Sequence, residues 1–204
     1  MKQRGLRLLA KRAIDVAVAS TAILASAPVI AGTAAAIWWT MGSPVLFRQE
    51  RIGRGDRVFR LVKFRTMAPG PADASPDGDH LRITRVGAFL RSTSLDELPQ
   101  LYNVLRGDMS LVGPRPLLVR YLPRYSPRQR LRHDVLPGLT GWAQVNGRNA
   151  LGWDEKFERD VWYVEHWSVR LDVRILARTA WQVMRRDGVS ADGHVTMPEF
   201  MGPG

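Results

Sequence analysis

The chain has 204 residues, a formal charge of +11 and no cysteine. That length supplies one or two domains with material for a core, and the lack of cysteine excludes disulfides and thiolate metal sites. The charge calls for an anionic partner, namely nucleic acid, an acidic lipid surface or a phosphorylated substrate, and the dominance of arginine suits bidentate phosphate contacts.

From Val16 to Phe47 there is no charged residue. The run is long enough for a spanning helix of about 20 residues and longer than the roughly 7–15 residues of a signal-peptide core. Three features argue against a simple crossing. Lys2, Arg4, Arg7, Lys11 and Arg12 precede the run, and Arg48, Arg51, Arg54, Arg57, Arg60, Lys63 and Arg65 follow it, so both flanks favour the cytoplasm. Pro28 removes a backbone hydrogen bond near the middle and crowds the carbonyl of Leu24. Each arm, Ile14–Ala27 and Pro28–Met41, measures about 21 Å at 1.5 Å per residue, short of a hydrocarbon core of about 30 Å. The expectation is a re-entrant helix within residues 1–42 that enters, bends at Pro28 and returns to the same face. Ser26 is expected to satisfy backbone groups freed by the bend, Asp15 to pair with Lys11 or Arg12, and Trp38 and Trp39 to sit at the interface. A proline-kinked spanning helix is the alternative.

Residues 45–64 read as two strands, VLFRQERI and RVFRLVKF, joined by Gly53-Arg54-Gly55-Asp56 into a hairpin. Its recurring cations are read as phosphate or headgroup contacts, or as a solvated face. Residues 68–78 are rich in Pro, Gly, Ala and Asp and read as a loop. Beyond it, Asp96 and Glu97 stand side by side. Ser94-x-x-Glu97 has the form of a capping box, which would place Asp96 in a first helical turn, held ionised by the helix dipole. Capping alone accounts for Glu97. Arg85, Arg91, Arg106 and Arg115 surround the pair in sequence, and adjacent carboxylates among arginines can hold a magnesium ion and a diphosphate together. A carboxylate can also attack phosphorus as a covalent nucleophile. Local pattern leaves cap and reactive pair both open.

Four stretches carry a more specific signal: Lys63-Phe64-Arg65-Thr66-Met67, Thr93-Ser94-Leu95-Asp96-Glu97-Leu98-Pro99-Gln100, the run from Gly107 to Pro116 (GDMSLVGPRP) and Pro137-Gly138-Leu139-Thr140-Gly141-Trp142. With them the chain, from about Lys11 to Met184, resembles the bacterial sugar transferases, the monotopic phosphoglycosyl transferases, in their short, minimal form. The resemblance implies transfer of a sugar-1-phosphate from a UDP-sugar to undecaprenyl phosphate with release of UMP. It implies Asp96 as the nucleophile on the β-phosphorus and Glu97 with Mg2+ at the diphosphate. Lys63, Arg91, Arg115 and Arg148 are implied as phosphate and nucleotide contacts. It also implies a re-entrant helix at the cytoplasmic face of the bacterial inner membrane, although the family's Ser-Pro break reads Ala27-Pro28 here.

Residues 117–134 are Arg-rich and read as partly helical, interrupted by Pro123 and Pro127, and lying either in the headgroup plane or on the core. Residues 153–184 read as mostly helical with Trp153, Trp162, Trp167 and Trp181. Asp160 matches an acidic position of the resembled family. The expected architecture is α+β and mostly helical: the re-entrant helix in 1–42, membrane-surface helices and a cytoplasmic catalytic domain with a β-hairpin in 43–187, and a disordered tail in 188–204. The expected partners are a UDP-sugar, undecaprenyl phosphate and inner-membrane lipids, with no nucleic acid. A basic nucleic-acid-binding protein and a non-catalytic membrane scaffold are the rival readings. The first has no use for the apolar run, and the second requires Asp96 and Glu97 to be dispensable.

Overall fold

In the computed structural model, which describes residues 5–68, 82–147, 151–185 and 199–202, the chain opens with one long helix, α1 (Leu6–Met41). Its buried positions, Lys11, Asp15 and Ala19, then Thr33 and Ile37, recur at four-residue steps and so share one face. That face turns its charges inward. Lys11 Nζ donates to Asp172 at 2.6 Å and to the Val112 carbonyl at 3.2 Å, while Asp15 accepts from Ser110 Oγ at 2.7 Å and from the Leu111 amide at 3.2 Å. Arg12 donates to the carbonyls of Val104 and Leu105. The expected pairing of Asp15 with Lys11 or Arg12 is therefore replaced by contacts to distant elements.

Further along, Ile37 packs with Phe64 and Leu90, and Arg65 donates to the carbonyls of Met41, Gly42 and Ser43, a cation closing the helix C-terminus. Both halves of α1 thus pack on the same domain, while Leu24, Val29, Trp38 and Trp39 are exposed. Pro28 lies inside the helix. Ser26 Oγ bonds back to the Ala22 carbonyl at 2.6 Å, with Ile23 O at 3.5 Å. Its hydroxyl thus serves those carbonyls rather than that of Leu24, which proline deprives of its donor.

Strands β1 (Leu46–Ile52) and β2 (Val58–Phe64) form the expected antiparallel hairpin, in register from Leu46 opposite Phe64 to Ile52 opposite Val58. A short 3-10 turn, Arg54–Asp56, connects them. The fully buried Asn103 clamps β2 by accepting from the Val62 amide and donating to the Arg60 carbonyl. Helix α2 (Arg85–Ser92) is capped by the Thr84 hydroxyl, which accepts from the Gly87 amide. Gly87 lies directly on the chain after β2: a Cβ there would stand 1.8 Å from the Thr66 carbonyl oxygen. Gly87→Ala is expected to push α2 off Thr66 and to lower stability by about 1–3 kcal/mol, measured by denaturant unfolding. An unchanged midpoint would show that the helix slides freely.

A 3-10 turn, Leu95–Glu97, leads to α3 (Gln100–Arg106) and β3 (Ser110–Val112), which pairs in parallel with β4 (Gly138–Thr140). A Cβ on Gly138 would lie 2.1 Å from the Gly113 amide nitrogen, so glycine is what lets the Gly113–Pro116 loop close onto β4. Between β3 and β4 the chain makes two 3-10 turns, Val119–Arg124 and Leu131–Asp134, around α4 (Pro127–Arg130). Pro127 does not interrupt here; it opens α4 behind a capping box of Ser126 and Gln129. Tyr121 and Tyr125 point into an aromatic core with Phe157 and Phe200, so this segment lies on the core. After a short α5 (Trp142–Val145), helices α6 (Trp153–His166) and α7 (Val169–Arg185) complete the domain. Trp167 is buried and donates to Asp172, Trp162 stacks on Trp142 and His166, and Trp181 is exposed beneath Arg185. Within the expected tail, Glu199–Gly202 is ordered against the domain, with Phe200 buried.

His133 ties the last 3-10 turn to the hairpin connection. Its Nδ1 lies 2.6 Å from Asp56 Oδ1, and since a carboxylate only accepts, Nδ1–H donates there; Nε2 is buried without a partner among the described residues. Burial, reinforced by Arg132, pulls the imidazole from 6.5 down to about 4. The unfolded chain takes up this proton below about pH 6.5, whereas the folded chain resists until about pH 4. The stability it contributes is therefore complete above pH 6.5 and falls as acid is added, by up to about 1.4 kcal/mol per pH unit. Denaturant unfolding of wild type and His133→Gln, which cancels the other titrating groups, should show the wild-type advantage shrinking from pH 7 toward pH 4.5. A pH-independent difference would contradict a buried neutral imidazole.

Candidate active site

The turn carrying the acidic pair is built differently from a capping box. Ser94 adopts a left-handed conformation, φ 57°, and its hydroxyl caps nothing; α3 begins only at Gln100. Glu97, instead of reaching back to Ser94, accepts from Arg115 Nη2 at 2.7 Å. Asp96 is buried in the 3-10 turn. Its carboxyl is pushed up from 3.8 to about 6, by burial first and the neighbouring Glu97 second, against the pull of Lys63, Arg115 and Arg91. The expectation that a helix N-terminus holds Asp96 ionised is thus corrected: desolvation and like charge outweigh the cations.

Asp96 and Glu97 line a cavity of about 650 Å³ together with Lys63, Arg91 and Arg115. Each cation arrives from a separate element. Lys63 projects from β2, with burial lowering its pKa against the opposing pull of Asp96. Arg91 comes from the end of α2, its Nε on Thr66 Oγ1 at 3.1 Å. Arg115 comes from the loop after β3, where Arg132 Nη2 donates to its carbonyl at 2.7 Å. Arg132 is in turn held by Asp160, at 2.7 and 3.1 Å, in a buried pair. This gives Asp160 a role that sequence left unassigned: it holds the arginine that fixes the backbone of Arg115. Of the other arginines near the pair in sequence, Arg106 faces Asp108 and Arg85 is exposed, and neither lines the cavity. Arg148 lies outside the described residues, and Pro28, on α1, does not line the cavity.

Further wall residues were not singled out as site residues by the sequence, although Arg51 belongs to the hairpin cations read as phosphate or headgroup contacts. Arg51, from β1, is lowered to about 10 by burial and by Arg115, and so stays charged at neutral pH. Lys156 and Trp153, from α6, stand along the same cavity. Nothing in their local sequence separates them from surface or core residues.

The donors at the pair are hard oxygens, which suit a hard divalent cation. Among the described residues no group of three or more His, Asp or Glu side chains converges to hold an ion. Asp96 and Glu97 offer hard oxygen, the set magnesium accepts when phosphates and water complete its shell. The arrangement as a whole joins a buried carboxylate with a raised pKa, a second carboxylate and converging cations, a set able to receive a phosphorylated ligand.

The family model described as "Bacterial sugar transferase" matches residues 6–186. The chain belongs to the bacterial sugar transferase family. It is 46% identical over 200 residues to the "Uncharacterized sugar transferase EpsL" of Bacillus subtilis (strain 168), covering 97% of this chain and 98% of that relative. It is 41% identical over 191 residues to the "UDP-glucose:undecaprenyl-phosphate glucose-1-phosphate transferase" of Escherichia coli (strain K12), covering 87% of this chain and 41% of the relative. A relative in Aeromonas hydrophila is named "UDP-N-acetylgalactosamine-undecaprenyl-phosphate N-acetylgalactosaminephosphotransferase", 42% identical over 179 residues, 83% of this chain and 42% of the relative. The chain thus spans about two-fifths of these two named transferases. In this family member the long apolar helix fits membrane association: its most apolar window has a mean hydropathy of 1.8, and only 11% of that window is buried.

Proposed function

We propose that this protein transfers a sugar-1-phosphate from a UDP-sugar to undecaprenyl phosphate and releases UMP, through a covalent intermediate on Asp96. The observation that carries the reading is the convergence of Lys63, Arg91 and Arg115 on the Asp96–Glu97 pair in one cavity. An Asp96 carboxylate oxygen attacks the β-phosphorus. The bond from that phosphorus to the bridging oxygen breaks, and UMP leaves with the electron pair. A phosphate oxygen of undecaprenyl phosphate then attacks the acyl phosphate, giving the lipid diphosphate sugar and regenerating the carboxylate. Lys63, Arg91 and Arg115 bind and orient the diphosphate, and Glu97 holds Arg115 in place. A magnesium ion held by Asp96, Glu97 and the diphosphate would supply neutralisation of phosphate charge. Partial burial keeps Asp96 weakly solvated, which suits a nucleophile.

The membrane reading is supported by α1. Both of its halves pack on one domain, and a helix crossing the bilayer would carry its ends to opposite sides. A re-entrant course with a bend at Pro28 leaves the exposed middle to lipid and the domain on the cytoplasmic face, where a soluble donor meets a lipid acceptor. Exposed Val173, Trp181 and Met184 on α7 stand among arginines, as suits a helix at the headgroup surface.

The test is direct: purified protein with magnesium, undecaprenyl phosphate and a panel of UDP-sugars should release UMP with at least one of them. A donor labelled at the β-phosphorus should leave label on the protein when the lipid is omitted. No UMP with any donor would overturn the reading. Cysteines placed at residues 3 and 44 of this cysteine-free chain should be labelled from the same side of the membrane; labelling from opposite sides would exclude the re-entrant course.

A further inference from the structure

The cavity extends past the phosphate-binding cations to a second wall made of Trp153, Lys156, Tyr121 and Phe157. Trp153 is the half-buried member of its aromatic cluster, and Lys156 Nζ stands 5.7 Å from its ring centroid. Behind this wall sits Phe200, from the far end of the chain and 1% exposed. It touches four rings: Phe157 at 4.9 Å, Trp153 at 5.5 Å, Tyr125 at 5.7 Å and Tyr121 at 5.8 Å between centroids. Three of the four line the cavity. The segment is fastened by charge: Glu199 pairs with Arg124 at 2.9 Å and Arg120 at 3.3 Å, and Arg124 also donates to the Phe200 carbonyl.

We propose that Glu199–Gly202 is a strap, with Phe200 as a positioning residue that holds the Trp153 wall to receive the nucleoside of the donor. The chemistry selects that occupant. An aromatic ring with a cation over it at the cavity wall, next to cations that suit a diphosphate, matches a base carried on a diphosphate; an isoprenoid chain has no use for the cation. Trp153 is the first residue of α6, and its ring packs on Tyr121 at 5.7 Å, Phe157 at 5.6 Å and Phe200 at 5.5 Å. Removing Phe200 leaves a ring-sized void behind it into which the wall can tilt.

The inference rests on the nucleotide-sugar reading, and its test separates the two. UMP binding by calorimetry needs no turnover. Phe200→Ala should weaken UMP binding and raise KM for the UDP-sugar, each roughly tenfold, the size of one base–aromatic stacking contact. KM for undecaprenyl phosphate should stay unchanged, and kcat at saturating donor should move by less than about twofold, since the contact is uniform in ground and transition states. Phe200→Tyr should restore both values. Glu199→Gln, which keeps the ring, should shift them the same way by a smaller factor and serves as the readout if Phe200→Ala does not fold. The proposal is overturned if either variant lowers Tm while UMP affinity holds, or if only the lipid KM moves. It is also overturned if the UDP-sugar KM rises without any change for UMP, which would assign the wall to the sugar. Loss of the nucleotide-sugar reading itself would appear separately, as wild-type protein that releases no UMP.

Discussion

Asp96→Asn is expected to lower UMP release by roughly 10³-fold or more, as removal of a covalent nucleophile does, while the protein keeps or gains stability. The two halves of this result share one cause. The amide is nearly isosteric, and Lys63, Arg91 and Arg115 remain to bind a diphosphate, so donor binding should survive. Its oxygen is a poor nucleophile and forms no acyl phosphate. Asp96 is strained electrostatically, with burial and Glu97 raising its carboxyl to about 6. A neutral amide relieves both burdens. Turnover by UMP release and a thermal melt are the two measurements. Full turnover would remove Asp96 from the chemistry, and a clear drop in Tm would show that its charge is structural. Functional sites commonly sit at such a cost to stability.

Asp172→Ala is expected to destabilise the fold by about 3–5 kcal/mol, the range for stripping one partner from a buried ion pair. Asp172 accepts three donors: Lys11 Nζ at 2.6 Å, Tyr163 Oη at 2.8 Å and Trp167 Nε1 at 3.0 Å. Removing it leaves the buried Lys11 Nζ, among the described residues, with the Val112 carbonyl alone. That lysine is one of the bonds that hold the apolar helix to the domain. The double variant Lys11→Met/Asp172→Leu should cost less than Asp172→Ala alone, because no uncompensated charge is left behind. Denaturant unfolding in detergent measures both. A cost below about 1 kcal/mol for Asp172→Ala would mean that water reaches the pair.

Some of this was legible from local sequence because its determinants are local. The hairpin at 46–64 follows from β-branched and aromatic runs around Gly53 and Gly55, and the strands pair as that pattern requires. The helical reading of 153–184 holds, although it did not divide the stretch into α6 and α7, and α1 follows from an uninterrupted apolar run. The capping box shows the limit. Ser94-x-x-Glu97 and Ser126-x-x-Gln129 are equivalent as patterns, yet only the second caps a helix. At Ser94 the chain turns sharply out of α2 into a left-handed residue, and Glu97 is claimed by Arg115, eighteen positions away.

Charge was the quantity most easily misjudged. Lys11, Arg12 and Arg65 counted as flanking charges of the apolar run, and each is spent inside the protein, on Asp172, on the carbonyls ending α3 and on those ending α1. A sequence count cannot separate a cation that faces lipid from one that closes a helix. Their bonds are to the fold.

By itself, then, the sequence determined the hairpin, the apolar helix, the helical character of 153–184 and the placing of Asp96 and Glu97 side by side, because propensity and motif act over a few residues. Tertiary structure decided which cations face Asp96, why its carboxyl is raised, what Asp160 does and where Phe200 goes. Those depend on burial and on contacts such as Arg132 with Arg115 and Phe200 with Trp153. Desolvation and long-range packing exist only once distant segments share one interior.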